Sequence, residues 1–196
     1  MAALSPWVER WAHLVAPGAV LDLACGNGRH ARHFAALGHP VLALDRDPVA
    51  LAEAAGEGIE TMLFDLEDPA LAWPLPASHF SAIVVTNYLH RPLFARLAAS
   101  LAPDGVLIYE TFSQGNELLG KPSNPHFLLG EGELLALARA QGLRVIAFED
   151  GYTSVPKPAM VQRLVGCRSE LPRVKADLAP AGRPAIGVQT RDSSQE

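Results

Sequence analysis

The feature that most constrains this chain is a buried strand, a glycine turn and a helix in immediate succession near the N-terminus. Residues 20–31 read VLDLACGNGRHA. Val20 and Leu23 predict a strand, and Gly26 and Gly28 permit a sharp turn with no Cβ between the backbone and a ligand. The helix that follows presents free N–H groups and a positive dipole end to the turn. This order of elements indicates a nucleotide or cofactor site.

Composition places the site in one ordinary globular domain. The chain has 196 residues, of which 49% are hydrophobic and 19% are charged. A net charge of −5 argues against a dedicated nucleic-acid binder, whose binding face is basic. Two cysteines, Cys25 and Cys167, are too few for a disulfide scaffold. No apolar run reaches membrane-spanning length, and the first residues lack the basic segment of a signal peptide. We therefore expect a cytoplasmic protein.

Strands and helices alternate after the turn. The apolar patterns predict strands at 39–45, 59–65, 80–86 and 106–112, with helices at 28–37, 48–55 and 92–101. A further helix is expected at 131–141, followed by two strands at 143–148 and 159–167 that are close enough in sequence to pair in antiparallel fashion. The chain is thus expected to be an α/β protein with a doubly wound parallel sheet that ends in an antiparallel hairpin.

Three further segments complete the predicted organisation. Ser5 and Pro6 begin a helix that packs through its tryptophans and leaves Arg10 on another side, within reach of an anionic group. Residues 113–130 form a long polar loop, which is typical of a lid over a functional site. The domain is expected to span residues 1–168, and residues 169–196 are expected to be a mostly disordered tail.

In a doubly wound sheet, ligands bind at the carboxyl ends of the strands. The residues at those ends are 24–28, 45–46, 65–66, 87–91 and 110–113. Asp22 lies within the first strand, Asp45 ends the second and Asp65 ends the third. One carboxylate can accept hydrogen bonds from both hydroxyls of a ribose, and another can accept one from the amino group of an adenine. Acids at these strand ends therefore suit a nucleoside.

These strand ends resemble the class I S-adenosylmethionine-dependent methyltransferases over most of residues 19–167. The first motif of that family, D-x-G-x-G-x-G, stands here as Asp22-x-Ala24-x-Gly26-x-Gly28, with alanine at the first glycine. The resemblance implies a Rossmann-like seven-stranded sheet, and it implies S-adenosylmethionine as cofactor. It also implies that Asp45 binds the ribose hydroxyls and that Asp65 and the Leu66 N–H bind the adenine.

The candidate cofactor contacts come from the motif and the loops beside it. They are Arg10, Asp22, Ala24, Cys25, Gly26, Gly28, His30, Asp45, Arg46, Asp65, Leu66 and Asn87. Cys25 is expected to pack and to contact the cofactor through its backbone rather than to act as a nucleophile. The spacing of His, Cys, Asp and Glu residues matches no metal site, so no metal is expected.

A dinucleotide-binding oxidoreductase is the alternative cofactor class. Gly26-x-Gly28-x-x-Ala31 also matches the fingerprint G-x-G-x-x-G/A, and Asp45 follows at a compatible distance. An acid inside the first strand, a second acid on the adenine side and a reversed terminal hairpin favour the methyltransferase interpretation.

Methyl transfer from a sulfonium is an in-line displacement that depends mainly on alignment. Candidate catalytic groups are Tyr88, His90, Arg91 and Glu110, with His126 from the lid. The short chain leaves no room for a separate recognition domain, which favours a small-molecule acceptor. Among small family members the chain looks most like the tellurite-resistance type. An RNA or protein methyltransferase and a non-catalytic S-adenosylmethionine-binding protein remain alternatives, and the oligomeric state is open.

Overall fold

The computed structural model describes residues 3–168, 170–173 and 178. These residues form a seven-stranded sheet with helices on both faces. The helices are α1 Pro6–Trp11, α2 Arg29–Ala36, α3 Pro48–Ala54, α4 Phe94–Ser100 and α5 Glu133–Ala140. The strands are β1 Val20–Leu23, β2 Val41–Asp45, β3 Ile59–Leu63, β4 Phe80–Thr86, β5 Leu101–Phe112, β6 Arg144–Thr153 and β7 Ala159–Cys167.

The strand order is β3-β2-β1-β4-β5-β7-β6. Strands β1 to β5 are parallel, and β7 runs antiparallel between β5 and β6. The chain therefore reverses its direction of winding between β1 and β4, which places a crevice at their carboxyl ends. The predicted Rossmann-like sheet and its terminal antiparallel hairpin are confirmed.

Two apolar layers hold the helices to the sheet. The first contains α1, α2 and α3, and the second contains α4 and α5. The predicted helix caps are present, since Ser5 accepts from two N–H groups of α1 and Asp47 accepts from two of α3. Trp7 and Trp11 are buried with ring centroids 5.6 Å apart, so both pack in the core as expected.

Two strands are longer than their sequence patterns indicate. Strand β5 begins at Leu101, so the proline, aspartate and glycine at 103–105 lie within it rather than before it. A register shift between Phe80 and Ala82 accommodates them. A Cβ on Gly105 would lie 2.7 Å from the Phe80 carbonyl oxygen, so the close approach of β4 requires glycine there. Strand β6 continues to Thr153 because β7 pairs with it throughout.

Packing against the domain continues beyond residue 168. Leu171 is buried, and its carbonyl accepts a hydrogen bond of 2.6 Å from Arg144. Most of the rest of the predicted tail lies outside the described residues. Within the described part of the chain, no helix has the length and apolar character needed to cross a membrane.

Candidate functional site

The glycine turn joins β1 to α2, but its two glycines have different roles. Gly26 has a φ of +53°, and a Cβ added there would meet nothing within 4 Å. Gly28 has a φ of +73°, and its Cβ would lie 2.6 Å from the Cβ of Ala54. Gly26 therefore has open space beside its backbone. Gly28 permits α2 and α3 to pack closely, and its contact with a cofactor stays a prediction.

Asp22 holds the turn from inside the sheet. Its side chain is buried, and Oδ2 accepts a hydrogen bond of 2.9 Å from the Ala31 N–H in the first turn of α2. Burial raises the pKa of Asp22 to about 7, although the Ala31 N–H and the Arg29 charge oppose this effect. Asp22 therefore fixes the start of α2 relative to β1 and so orients the turn between them.

Asp45 fixes the other side of the turn. Oδ2 accepts from the Gly26 N–H at 2.8 Å, and Oδ1 accepts from the Asp47 N–H at 3.0 Å. A carboxylate oxygen has two acceptor positions, so both oxygens can still accept a bond from a ligand. Asp45 thus ties the end of β2 to the glycine turn and presents its carboxylate to the crevice.

A cavity of about 380 Å³ lies at these strand ends. Its predicted lining residues are Ala24, Asp45, Arg46, Asp65, Leu66, Asn87 and Tyr88. The sequence did not single out the others, which are Phe64, Glu67, Leu89, Thr111, Phe112, Pro122 and Phe127. Each lies within or beside a strand end or in the lid, but an apolar wall residue carries no chemical signature in the sequence. The structure therefore gathers the acids of β2 and β3 and the loop after β4 around one space.

The residues of this cavity fit a nucleoside with an attached amino acid. Asp45 and Asp65 offer acceptors, and Phe64, Leu66 and Leu89 offer an apolar wall. The Tyr88 hydroxyl is buried and close to the Glu67 carboxylate, without the geometry of a full hydrogen bond. Burial raises the pKa of Tyr88 above its ordinary value, and the Glu67 carboxylate acts in the same direction. The phenol therefore keeps its proton, which it can donate to Glu67 or to a ligand in the cavity.

His30 lies outside the cavity lining. Its ring is buried and accepts at Nε2 from the backbone N–H of Ser5 and from Arg29, and Nδ1 faces Thr86 Oγ1 at 3.4 Å. Burial lowers its pKa to about 3, so the ring is neutral and joins α1, α2 and β4. His30 is not among the residues that line the cavity, which corrects its prediction as a cofactor contact.

Arg10 and Cys25 also lie off the cavity lining. The Arg10 guanidinium lies 4.9 Å from the Trp11 ring centroid and 3.6 Å from the Glu149 carboxylate, so it packs against the outside of α1. Cys25 is a buried free cysteine. Burial raises the pKa of its thiol, with added effects from the charges of Asp22 and Asp45. The thiol therefore stays protonated, as expected of a packing residue.

Glu110 is held in a buried network. It forms an ion pair with Arg163 and accepts a hydrogen bond of 3.0 Å from the Ser5 hydroxyl. Arg163 also faces Glu149 at 3.2 Å. These contacts fasten the N-terminal helix to β5 and β7. The structure thus gives Glu110 a structural role in place of the predicted catalytic one.

Arg91 holds the lid. Its guanidinium pairs with Glu133 of α5 and donates to the carbonyls of His126 and Leu128, at 2.9 and 3.0 Å. These bonds use four of the five N–H groups of the side chain, so Arg91 holds the lid, whereas the sequence predicts a catalytic role for it. His90 precedes the short 3-10 turn before α4 and does not line the cavity. Its catalytic role stays a prediction.

The lid at residues 113–130 is folded against the strand ends. Asn116 is buried, donates to the Pro122 carbonyl at 3.0 Å and accepts from the Met160 N–H at 3.2 Å. Pro122 and Phe127 are thereby placed in the cavity wall. The predicted lid therefore contributes directly to the site.

Comparison with known proteins agrees with this geometry. Residues 20–105 match the family model described as a methyltransferase domain. The uncharacterized methyltransferase YodH of Bacillus subtilis is 32% identical over 100 residues, which is 45% of this chain and 41% of the relative. This match spans less than half of the relative's length.

Solved structures share the fold over most of the chain. An S-adenosylmethionine-dependent methyltransferase from Mesorhizobium loti superposes with a TM-score of 0.65 and 19% identity, over 81% of this chain and 97% of that one. The 1,6-didemethyltoxoflavin-N1-methyltransferase of Burkholderia thailandensis was solved with bound 1,6-didemethyltoxoflavin and S-adenosylhomocysteine. It superposes with a TM-score of 0.60 and 22% identity, over 83% of this chain and 76% of that one.

The sheet, the glycine turn and the strand-end acids are those of the Rossmann-like methyltransferase fold. Residues 20–105 resemble a methyltransferase domain, and the solved structures that share the fold include S-adenosylmethionine-dependent methyltransferases. These matches support the predicted family and cofactor. The tellurite-resistance subtype stays a prediction. Among the described residues, no group of three or more His, Cys, Asp or Glu side chains could hold a metal ion.

Proposed function

We propose that this protein transfers a methyl group from S-adenosylmethionine to a small-molecule acceptor. One observation carries the proposal. Asp45 and Asp65, at the ends of the neighbouring strands β2 and β3, line a cavity that continues past β4 and β5 to Asn87 and Phe112. The acids suit the nucleoside of the donor, and the far end suits an acceptor.

In this proposal the donor supplies a methyl group that is already activated by its sulfonium. Asp45 accepts hydrogen bonds from the ribose hydroxyls while it keeps its bonds to Gly26 and Asp47. Asp65 accepts from the adenine amino group, and the Leu66 N–H faces the ring. Leu66 and Phe64 supply the apolar wall of the cavity.

The chain's contribution to rate is alignment and exclusion of water. Phe112 and Phe127 line the cavity beside Asn87, and the lid that carries Phe127 is fastened by Arg91. Holding the acceptor in line with the methyl group removes much of the entropic barrier. Tyr88 acts as a hydrogen-bond donor rather than as a base, because burial raises its pKa and keeps its proton in place.

The shape of the site supports a small acceptor. The lid lies over the strand ends, and its residues Pro122 and Phe127 form part of the cavity wall. A cavity of about 380 Å³ is within the common range for small-molecule sites. A folded protein or a duplex would have to displace the lid to bring an acceptor atom to the methyl group.

The test is a transfer assay with S-adenosylmethionine labelled in its methyl group. The protein is incubated with metabolite, RNA and protein fractions, and label is followed in each. We expect label only in the metabolite fraction, and we expect the Asp65→Asn variant to lose it. Label confined to RNA or protein contradicts the small-molecule acceptor. Binding of the donor with no label in any fraction supports a non-catalytic binding protein instead.

Asp68→Asn is the matched control. Asp65 and Asp68 each accept a hydrogen bond from the N–H two residues later, at 2.9 and 2.8 Å. Only Asp65 lines the cavity. Asp68→Asn therefore removes the same charge and the same kind of local turn contact, and it should transfer methyl groups as the wild type does.

A further inference from the structure

The site has a donor end at Asp45 and Asp65 and an acceptor end at Asn87 and Phe112, and the two ends differ in charge. A second cavity, of about 530 Å³, shares Asn87, Phe112, Pro122 and Phe127 with the first. It therefore opens from the end that lies beyond β4 and β5, away from Asp45. If methyl transfer takes place as proposed above, a molecule that approaches the methyl group from the lid side enters through this second cavity.

Charge changes sign along this path. The first cavity is lined by three acids, Asp45, Asp65 and Glu67, against one base, Arg46. The charged residues that line the second cavity are Lys121 and Lys157, with no acid. The acidic end suits a donor that carries a sulfonium, and the basic end suits a molecule of the opposite charge.

The two lysines lack the carboxylate partners that Arg91 and Arg163 have. Arg91 faces Glu133, and Arg163 faces Glu110. Across residues 3–168, neither Lys121 nor Lys157 lies within 4.0 Å of an acidic oxygen. Their charges are therefore available to a ligand.

Lys157 is placed over an apolar wall. Its Nζ lies 5.9 Å from the centroid of the Phe112 ring, which also lines the first cavity. A third, smaller cavity of about 180 Å³ shares Phe112 and Lys157 with the second and is also lined by Arg29 and by the ion pair of Glu110 and Arg163. The Arg29 guanidinium donates to Thr86 and His30 and to no described carboxylate. Aromatic rings with cations at their margin bind molecules that have an apolar body and an anionic group.

From this arrangement we propose that the methyl acceptor is a small organic anion, with its apolar body against Phe112 and Phe127 and its negative group at Lys121 and Lys157. The inference rests on the proposed methyl transfer, and it adds the charge class of the acceptor. Both lysines are solvent-exposed, so their contribution to affinity is moderate and falls with added salt.

The test compares probes of one shape and different charge. The protein is saturated with S-adenosylhomocysteine and titrated with benzoate, phenyl phosphate and neutral benzamide, with binding followed by amide chemical shifts. We expect the anions to bind about five- to tenfold more tightly than benzamide at low salt, as expected for pairing with exposed charges. Benzoate and phenyl phosphate separate a preference for carboxylate from one for phosphate.

Two variants localise the effect. Lys121→Gln combined with Lys157→Gln should abolish the preference for anions and leave the affinity for S-adenosylhomocysteine unchanged. Arg139→Gln removes one positive charge from the exposed face of α5, away from the cavities, and should keep the preference. The unchanged affinity for S-adenosylhomocysteine verifies that each variant is folded.

Three results overturn the inference. The first is equal binding of benzamide and benzoate to the wild type, and the second is a preference that persists in the double lysine variant. The third is much tighter, lysine-dependent binding of a short oligouridylate, which would assign the basic end to RNA. A wild type that binds no S-adenosylhomocysteine contradicts the proposed function itself, which separates that failure from a failure of the charge assignment.

Discussion

The two ends of the crevice are built in different ways. At the donor end, Asp22 and Asp45 lie on the adjacent strands β1 and β2 and accept from the N–H groups of Ala31 in α2 and Gly26 in the turn, so contacts next to the sheet fix the geometry. At the acceptor end, a loop is held in place by side chains, chiefly Asn116 and Arg91. The family model covers residues 20–105, which include the donor end and stop before the lid. The matched model thus contains the donor end and Asn87 of the acceptor end, and it does not extend to the lid.

The largest effect on stability is expected in the glycine turn of the donor end, where substitution of one glycine disturbs packing and substitution of the other does not. Gly28→Ala would place a Cβ 2.6 Å from that of Ala54 at a φ of +73°, so we expect a loss of about 2–4 kcal/mol in the free energy of unfolding. Gly26→Ala meets open space and should lose only about 1–2 kcal/mol, the cost of the positive φ. Urea denaturation of both variants measures the difference.

Equal losses for the two glycine variants would contradict the distinction between a glycine that is packed against Ala54 and one that has open space beside it. Affinity for S-adenosylmethionine supplies a second comparison. We expect Gly26→Ala to weaken it although the fold is retained, because the added Cβ enters the open space beside the turn that the proposed donor approaches.

A second prediction concerns Asp45. Asp45→Ala removes a carboxylate of the cavity lining, and we expect the binding free energy of S-adenosylmethionine to weaken by about 1–3 kcal/mol. Asp47→Ala removes a neighbouring carboxylate that caps α3, so it should lower stability by about 1 kcal/mol and leave affinity unchanged. Calorimetric titration and urea denaturation of both variants separate the effects. Unchanged affinity in Asp45→Ala would remove Asp45 from the donor site.

The same contrast explains what the sequence could predict. The doubly wound parallel sheet, the hairpin and the acids at strand ends follow from apolar periodicity and from the rule that parallel strands end on one edge. His30 and Glu110 were assigned to the site because they lie near strand ends, yet tertiary packing buries them beside Ser5. No local pattern encodes the distant partners of a polar side chain.

The acceptor end was predicted less completely for a related reason. The lid was expected from its length and composition, but its fastening by Arg91 depends on Glu133, which is 42 residues away in sequence. Arg91 therefore resembled a substrate ligand in the sequence. Lys157 was not singled out, because its place over Phe112 depends on the turn between β6 and β7.

A smaller effect is expected when the lid is loosened. Arg91→Gln removes the ion pair with Glu133, and we expect faster proteolysis within residues 113–130 with a loss of about 0.5–1 kcal/mol in stability, since the pair is partly exposed. The donor end should keep its affinity for S-adenosylmethionine. Glu133→Gln should have a similar effect, and the double variant should add little. Additive losses in the double variant would show that the two side chains act independently.

The smallest effect is the response of the lid to pH. The hydrogen bond from Arg91 holds the pKa of Glu133 below its ordinary value of 4.5. The stabilisation is therefore fully present above that value and is lost as the pH falls through the lowered pKa. The protection factor of the Gly130 amide, which donates to Glu133 at 2.8 Å, should fall in acid for the wild type when exchange is compared with the rate of an unprotected amide at the same pH. Protection that persists in acid would contradict this link.

The central claim is that the acids after β2 and β3 make this crevice a site for S-adenosylmethionine. Calorimetric titration of the wild type, Asp65→Asn and Asp68→Asn with S-adenosylmethionine and with NAD tests it most directly. The account predicts saturable binding of S-adenosylmethionine to the wild type and Asp68→Asn, much weaker binding to Asp65→Asn, and no binding of NAD. Binding of NAD in place of S-adenosylmethionine, or equal affinity in all three proteins, would contradict it.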